Sequence, residues 1–329
     1  MGERDRRNNL LALIGFLLVI LLITVGGIFL LISSNKKENN EEQKLEEITP
    51  LIYEITKEGS NNKIYLFGSI HQAKLSEFKF PDKVMDAYNN SHYLACEVDV
   101  IVYNNNVNQT EIANKMTYTD GSKIKDHISS DLYNKLDTYL LKRNYYLETL
   151  GIYKPVFFYA LIDSDINEEA GLDDSGIDEY FLRHAKQDNK TILEVETGDY
   201  QTKLLLNQPD RLYEILLSES INNYDEQVEN VKNLYKAWKK GNPKELEEML
   251  FKEETAYEAK YSIEDYKLVE KYNNELVDDR NKVMADKLME YFEKNEDVFY
   301  MVGAAHLLGE NGIASLVKSK GYNVVQLSY

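Results

Sequence analysis

The sequence predicts a mixed α/β domain, a mixed sheet with flanking helices, carried behind one N-terminal transmembrane helix. Three observations predict it. Residues Leu10 to Ile32 are almost wholly apolar. From Leu51 onward, short apolar strands alternate with helical stretches, the pattern of helices packed on a sheet. Two of those strands run into the same local sequence, a glycine followed three residues later by a histidine.

The apolar run Leu10–Ile32 is 23 residues long and is interrupted only by Gly and Thr. About 20 residues of helix cross the hydrocarbon layer, and a helix satisfies its own backbone there. A cleaved signal peptide has a shorter apolar core, about 7–15 residues, ending at a small-x-small site. Ser33-Ser34-Asn35 is a poor site of that kind, so the segment reads as a retained anchor. Arg4, Arg6 and Arg7 precede the span and Lys36 and Lys37 follow it; this bias places the N-terminus inside and the large domain outside. The expected organisation is a cytoplasmic N-terminus at 1–9, a span at 10–32, a linker at 33–50 and an α/β domain at 51–329. That is a single-pass cell-membrane protein with an extracytoplasmic C-terminal domain. Asn35 to Thr49 is polar and charged and reads as a flexible stalk.

The chain of 329 residues has a formal net charge of −18. Residues 1–37 contribute +3, so the remainder carries −21. Such a domain repels phosphate backbones and anionic lipid, which argues against nucleic acid as a partner. The single cysteine, Cys96, excludes an intrachain disulfide and a zinc knuckle. It lies in the apolar run Tyr93-Leu94-Ala95-Cys96 and reads as a buried structural thiol.

Leu51–Ile55 and Lys63–Phe67 flank the turn cluster Glu58-Gly59-Ser60-Asn61-Asn62, so they read as a hairpin. Pro81-Asp82 opens a short helix to about Tyr88. His92–Val98 and Thr191–Val195 read as buried strands, ending near Glu97 and Glu196. Between them Ser130 caps a helix to about Lys142, and Ile177–Gln187 is a second helix. Helical patterns run with breaks from Pro209 to Glu293, with a restart at Asn242-Pro243, where Asn caps and Pro takes the first helical position. Val298–Val302 is a strand, Gly312–Lys320 a helix, and Tyr322–Leu327 the last strand.

His71 follows its strand in Gly68-Ser69-Ile70-His71, and His306 follows its strand in Gly303-Ala304-Ala305-His306. Strand ends at a sheet edge are where α/β folds place their sites. The glycine permits an unusual turn or a close ligand approach. Neutral imidazole suits divalent transition metals and proton transfer near pH 7. Glu97 and Glu196, also at strand ends, each offer a carboxylate to complete a two-histidine metal site or to act as a general base. Arg280 and Asn281 interrupt the apolar stripes of Leu276, Val277, Val283, Met284 and Leu288. Burying them without partners is costly, so they read as a structural ion pair or as groups that position substrate.

Tyr65-Leu66-Phe67-Gly68-Ser69-Ile70-His71 and Met301-Val302-Gly303-Ala304-Ala305-His306-Leu307-Leu308-Gly309 resemble the two Gly-x-x-His motifs of the TraB/GumN/Tiki superfamily. Glu97-Val98-Asp99, Gly171-Leu172-Asp173, Leu193-Glu194-Val195-Glu196-Thr197 and Asp279-Arg280-Asn281 follow in the matching order. The resemblance spans about 51–328, with looser matches over 100–170 and 208–270. It implies a fold related to the erythromycin-esterase and ChaN-like group, and a metal-dependent peptidase acting on secreted peptides or proteins. On this reading His71, His306 and Glu97 hold a divalent ion (Mn, Co, Zn or Fe). Glu196 is the second-choice carboxylate, and Arg280 and Asn281 position substrate or stabilise an oxyanion. Two other readings stay open: an anchored protein that sequesters a peptide without cleaving it, and a metal-free esterase-like hydrolase with a histidine as general base.

Overall fold

The computed structural model describes residues 45–172, 176–251 and 261–329. The predicted span Leu10–Ile32 lies outside them. Among the described residues no helix is long and apolar enough to cross a membrane.

In chain order the strands are β1 (Glu46–Glu47), β2 (Ile52–Thr56), β3 (Ile64–Ser69), β4 (Phe78–Lys79), β5 (Tyr93–Cys96), β6 (Thr191–Glu194), β7 (Val298–Gly303) and β8 (Asn323–Gln326). The helices are α1 (Asp82–Asn90), α2 (Val100–Asn106), α3 (Gln109–Lys115), α4 (Ser130–Leu141), α5 (Leu147–Leu150), α6 (Pro155–Glu169) and α7 (Ile177–Gln187). They continue with α8 (Gly198–Leu206), α9 (Asp210–Asn222), α10 (Tyr224–Lys240), α11 (Pro243–Leu250), α12 (Ile263–Leu276), α13 (Asp278–Glu293) and α14 (Ile313–Ser319).

The sheet is mixed, as the sequence predicts, with strand order β6-β5-β7-β3-β2-β8. β2 runs antiparallel to both β3 and β8, which gives the expected hairpin. β6, β5, β7 and β3 are parallel to one another. β7, contributed from near the C-terminus, slots between β5 and β3, so four parallel strands end side by side. Every residue of β7 is buried, which fits its unbroken apolar run Val298–Val302 and its central position. Phe67, Phe181 and Phe299 pack their rings on one another within 5.5 Å and anchor α7 to the sheet.

Four expectations need correction. Thr191–Val195 reads as a buried strand, yet Thr191 and Glu194 are exposed, because among the described residues β6 ends the sheet and no strand pairs on its outer side. The cap of α4 is Ser129, whose hydroxyl accepts from Leu132 N–H. The end of the stalk is not free: Glu46–Glu47 pair with Phe78–Lys79, Ile48 is buried, and Thr49 N–H donates to Lys239 O. Finally, the stripe Leu276–Leu288 is two helices. The chain breaks at Val277 (φ −122°, ψ −70°), and Val283 is half exposed. Asp278 and Asp279 sit in the first turn of the new helix, where the positive end of the helix dipole favours carboxylates.

Candidate functional site

Parallel register carries the chemistry-bearing residues to one edge of the sheet. Ser69 at the end of β3 stands beside Gly303 at the end of β7. Cys96 at the end of β5 pairs with Met301 on one side and Glu194 on the other. The residues that follow these ends are His71, His306, Glu97 and Glu196. Four of the six site residues expected from the sequence are thus gathered by strand order alone, and Arg280 and Asn281 reach them from the first turn of α13.

Glu97, Glu196, Arg280, Asn281 and His306 are all buried. Glu97 is fixed at both oxygens. Its Oε1 accepts from Gly303 N–H at 2.8 Å. Its Oε2 accepts from Arg280 Nη2 at 2.5 Å and from Gln201 Nε2 at 3.0 Å. Glu196 meets the same two donors: Arg280 Nη2 and Gln201 Nε2 each reach its Oε2 at 2.8 Å, and Arg280 Nε reaches its Oε1 at 2.9 Å. Arg280 also donates through Nη1 to Leu276 O. The guanidinium therefore faces the two carboxylates and the end of α12. Such a pairing is what makes three buried charges tolerable.

Asn281 faces the other way. Its Nδ2 donates to Asn311 O at 2.9 Å, which leaves Oδ1 as acceptor for His306 Nδ1–H at 2.6 Å. This assignment sets the tautomer: the proton is on Nδ1 and Nε2 is bare. Among the described residues His306 Nε2 is buried without a hydrogen-bond partner, and it stands 3.8 Å from Glu97 Oε1. Two lone-pair atoms thus face each other, an arrangement that calls for a cation or a hydrogen donor between them.

His71 completes the group. Its Nδ1 lies 3.0 Å from Asp178 Oδ2; a carboxylate only accepts, so Nδ1 carries a proton, and in the neutral ring Nε2 is the bare nitrogen. A methyl group built on Gly303 would lie 3.4 Å from Glu97 Oε1, 3.6 Å from His306 Cδ2 and 3.9 Å from His71 Nε2. The three side chains therefore line the space above Gly303. The two motif glycines do different work. Gly303 keeps that space open, whereas Gly68 gives way to the chain: a methyl there would come within 3.0 Å of Ala304 Cβ and 3.1 Å of its Cα.

Electrostatics follow from this packing. Burial raises the Glu97 pKa, but the charge of Arg280, helped by the nearby His306 and His71 rings and the Gly303 N–H, outweighs it and holds the carboxyl well below the usual range. Burial and the nearby Arg280 pull His306 down to about 3, against the pull of Glu97. At neutral pH the site holds an ionised Glu97 beside an uncharged His306.

The donor chemistry fits a divalent transition ion: a partnerless buried imidazole nitrogen, a second bare imidazole nitrogen and a carboxylate oxygen surround one small space. Their outer nitrogens are held by Asn281 and Asp178; a carboxylate such as that of Asp178 is a support that metal-bound histidines use. Among the described residues, no group of three or more His, Cys, Asp or Glu side chains stands at metal-holding spacing.

Two residues of the site escape the sequence reading, Gln201 and Asp178. Gln201 lies five residues after Glu196, in the first turn of α8, a spacing that only the tertiary contact makes meaningful. Asp178 had a signal. Gly176-Ile177-Asp178 repeats the glycine–apolar–aspartate pattern of Gly171-Leu172-Asp173 directly at a helix start. Asp173 itself lies outside the described residues.

The model of the TraB/PrgY/gumN family matches residues 51–326. No curated protein and no solved structure matches this chain.

Proposed function

The chain belongs to the TraB/PrgY/gumN family, and from that premise we propose that it is a membrane-anchored, metal-dependent hydrolase acting on an extracytoplasmic peptide or protein. Leu10–Ile32 would be the single span, with the domain from Leu51 outside the cell membrane. His71, His306 and Glu97 would hold the divalent ion. The observation that carries this reading is His306 Nε2, buried, without a partner among the described residues and 3.8 Å from Glu97 Oε1.

When bound, such an ion supplies an activated water and a polarised scissile carbonyl. The chain's own groups do the rest. Gly303 N–H, Arg280 and Gln201 pin Glu97 so that one face of Oε1 is turned to the histidines. Asn281 and Asp178 hold the two imidazoles by Nδ1, which in the neutral rings leaves Nε2 free of a proton. Glu196 balances the charge of Arg280. Supporting Glu97 in this way replaces the oxyanion role expected for Arg280, since its Nε and Nη2 donate to carboxylates. A neutral His306 favours a ligand over a general base, because an imidazole with a pKa of about 3 is too weak a base at pH 7.

One observation favours a metal-free hydrolase instead: the absence of metal-holding spacing among the described residues. On that reading His71, paired with Asp178, is the base. Cleavage of a peptide library by the purified full-length chain separates the two. The metal reading predicts cleavage that chelator abolishes, that added Mn, Co, Zn or Fe restores, and that Glu97→Gln lacks. Cleavage that resists chelator but is lost in His71→Gln supports the metal-free reading. A peptide bound yet recovered intact from the wild type contradicts both and makes the protein a sequestering one.

A further inference from the structure

The loop that carries His71 is tied to the start of α7 at several points. Ile177 N–H donates to Ile70 O at 3.0 Å. Ser69 Oγ donates to Asp178 Oδ1 at 2.7 Å. His71 Nδ1–H meets Asp178 Oδ2 at 3.0 Å. Gly176 lies so close to the loop that a methyl on it would fall 2.3 Å from His71 O. One carboxylate, itself buried, thus grips the last residue of β3 with one oxygen and the histidine ring with the other.

The two histidines are held alike, each by a side chain in the first turn of a different helix. Asn281 of α13 holds His306, and Asp178 of α7 holds His71. Asn281 is itself braced by Asn311, whose amide donates to Asp278. Ser69 braces Asp178. A neutral imidazole free of such a partner favours the tautomer with its proton on Nε2, which would point a hydrogen, not a lone pair, at the space above Gly303.

We propose that Asp178 is the positioning residue of His71: held by Ser69, it fixes the ring and its tautomer so that a bare Nε2 faces Glu97. This rests on the metal-dependent reading above for its purpose, though not for its geometry. Asp178 touches no reacting atom, and its effect reaches the site only through His71.

The test uses the full-length chain with ¹⁵N-labelled histidine at pH 7.5, free of metal. Long-range ¹⁵N–¹H correlations distinguish a bare ring nitrogen from a protonated one, and the His71 signals are assigned by their loss in His71→Gln. We expect His71 with Nδ1 protonated and Nε2 bare in the wild type. Asp178→Leu, of similar size but with no acceptor, should move the proton to Nε2. Asp178→Asn, which keeps an acceptor oxygen, should retain the wild-type tautomer. His71 protonated on Nε2 in the wild type overturns the proposal without any variant, and so does an unchanged His71 in Asp178→Leu.

Titration with Co²⁺ alone gives the second readout. Loss of an outer partner of this kind weakens metal affinity about 10–100-fold, and Asp178→Leu should do so while Asp178→Asn recovers most of it. A wild type that binds Co²⁺ no better than His71→Gln contradicts the metal reading, and the tautomer then decides the role of Asp178 by itself. Wild-type Co²⁺ binding that Asp178→Leu leaves intact contradicts the proposal and spares the metal reading.

Discussion

His306 Nε2 stands 3.8 Å from Glu97 Oε1 with no hydrogen between them. Asn281 occupies the only protonated nitrogen of the ring, and Gly303, Arg280 and Gln201 hold the carboxylate in place. Neither side chain is positioned to relieve the confrontation by turning away without breaking these bonds. The arrangement is costly in isolation, and a positive centre between the two atoms would relieve it.

The neutral state of His306 makes stability depend on pH. Its folded pKa, about 3, lies below the unfolded value of about 6.5. The unfolded chain therefore takes up the proton first as pH falls. The contribution is fully present above about pH 6.5 and is lost as pH drops toward 3, at up to about 1.4 kcal/mol per pH unit. Glu97, also depressed, adds loss in the same direction below the ordinary carboxylate range. Urea titrations of the metal-free protein at pH 7, 6 and 5 should show this decline, and His306→Gln should flatten it.

Asp163 has the opposite sign. It is buried within α6, and burial raises its pKa well above the usual range; its nearest partner is Asn167 Nδ2 at 3.4 Å. The folded chain keeps this proton after the unfolded chain has lost it. Stability from Asp163 is present below the unfolded pKa and is lost as pH rises toward the folded one, again by up to about 1.4 kcal/mol per unit. Asp163→Asn should therefore stabilise the protein at pH 8 more than at pH 5. A uniform effect across that range would show that the carboxyl is ionised in the fold.

The two motif glycines should respond differently to alanine. Gly303 has φ −51° and its added methyl meets only ordinary contacts, so Gly303→Ala should fold with stability changed by no more than about 1 kcal/mol. The methyl would sit among Glu97, His306 and His71 and should abolish metal or substrate binding. Gly68→Ala presses on Ala304 and Leu307 and should cost about 1–3 kcal/mol by overpacking. Thermal melts alongside binding assays check both. A stable Gly303→Ala protein that binds normally would place the site elsewhere.

Arg280 is the counter-charge of two buried carboxylates. Arg280→Ala leaves both without it and should destabilise the fold by about 3–5 kcal/mol. Adding Glu97→Gln and Glu196→Gln to that variant should recover part of the loss, because the unpaired charges are then gone. Urea unfolding measures this directly. Recovery in the triple variant separates an electrostatic role from simple loss of packing.

Much of this was legible in the residues. The hairpin, the central strand of unbroken apolar residues and the strand-end positions of His71, His306, Glu97 and Glu196 follow from local pattern. Strand order does not. Nothing local says that β7 inserts between β5 and β3, yet that insertion is what brings His306 beside Glu97. The break at Val277 was hidden because Leu276, Met284 and Leu288 keep a helical spacing across it. Gln201 is invisible for a related reason: a glutamine on a helix is ordinary until the fold sets a carboxylate against it. Asp178 carries only the weak signal of Gly176-Ile177-Asp178. The edge character of β6 was missed because Ile192 and Leu193 read as core when the neighbouring strand count is unknown.

On the proposed function, His71, Glu97 and His306 would form one metal-binding centre. The most direct test is the metal content of the purified full-length chain, wild type beside His71→Ala and His306→Ala, after reconstitution with Mn, Co, Zn or Fe. Near-stoichiometric metal is expected in the wild type, and its loss in both variants. A wild type that retains no metal, or variants that retain as much as the wild type, would contradict it.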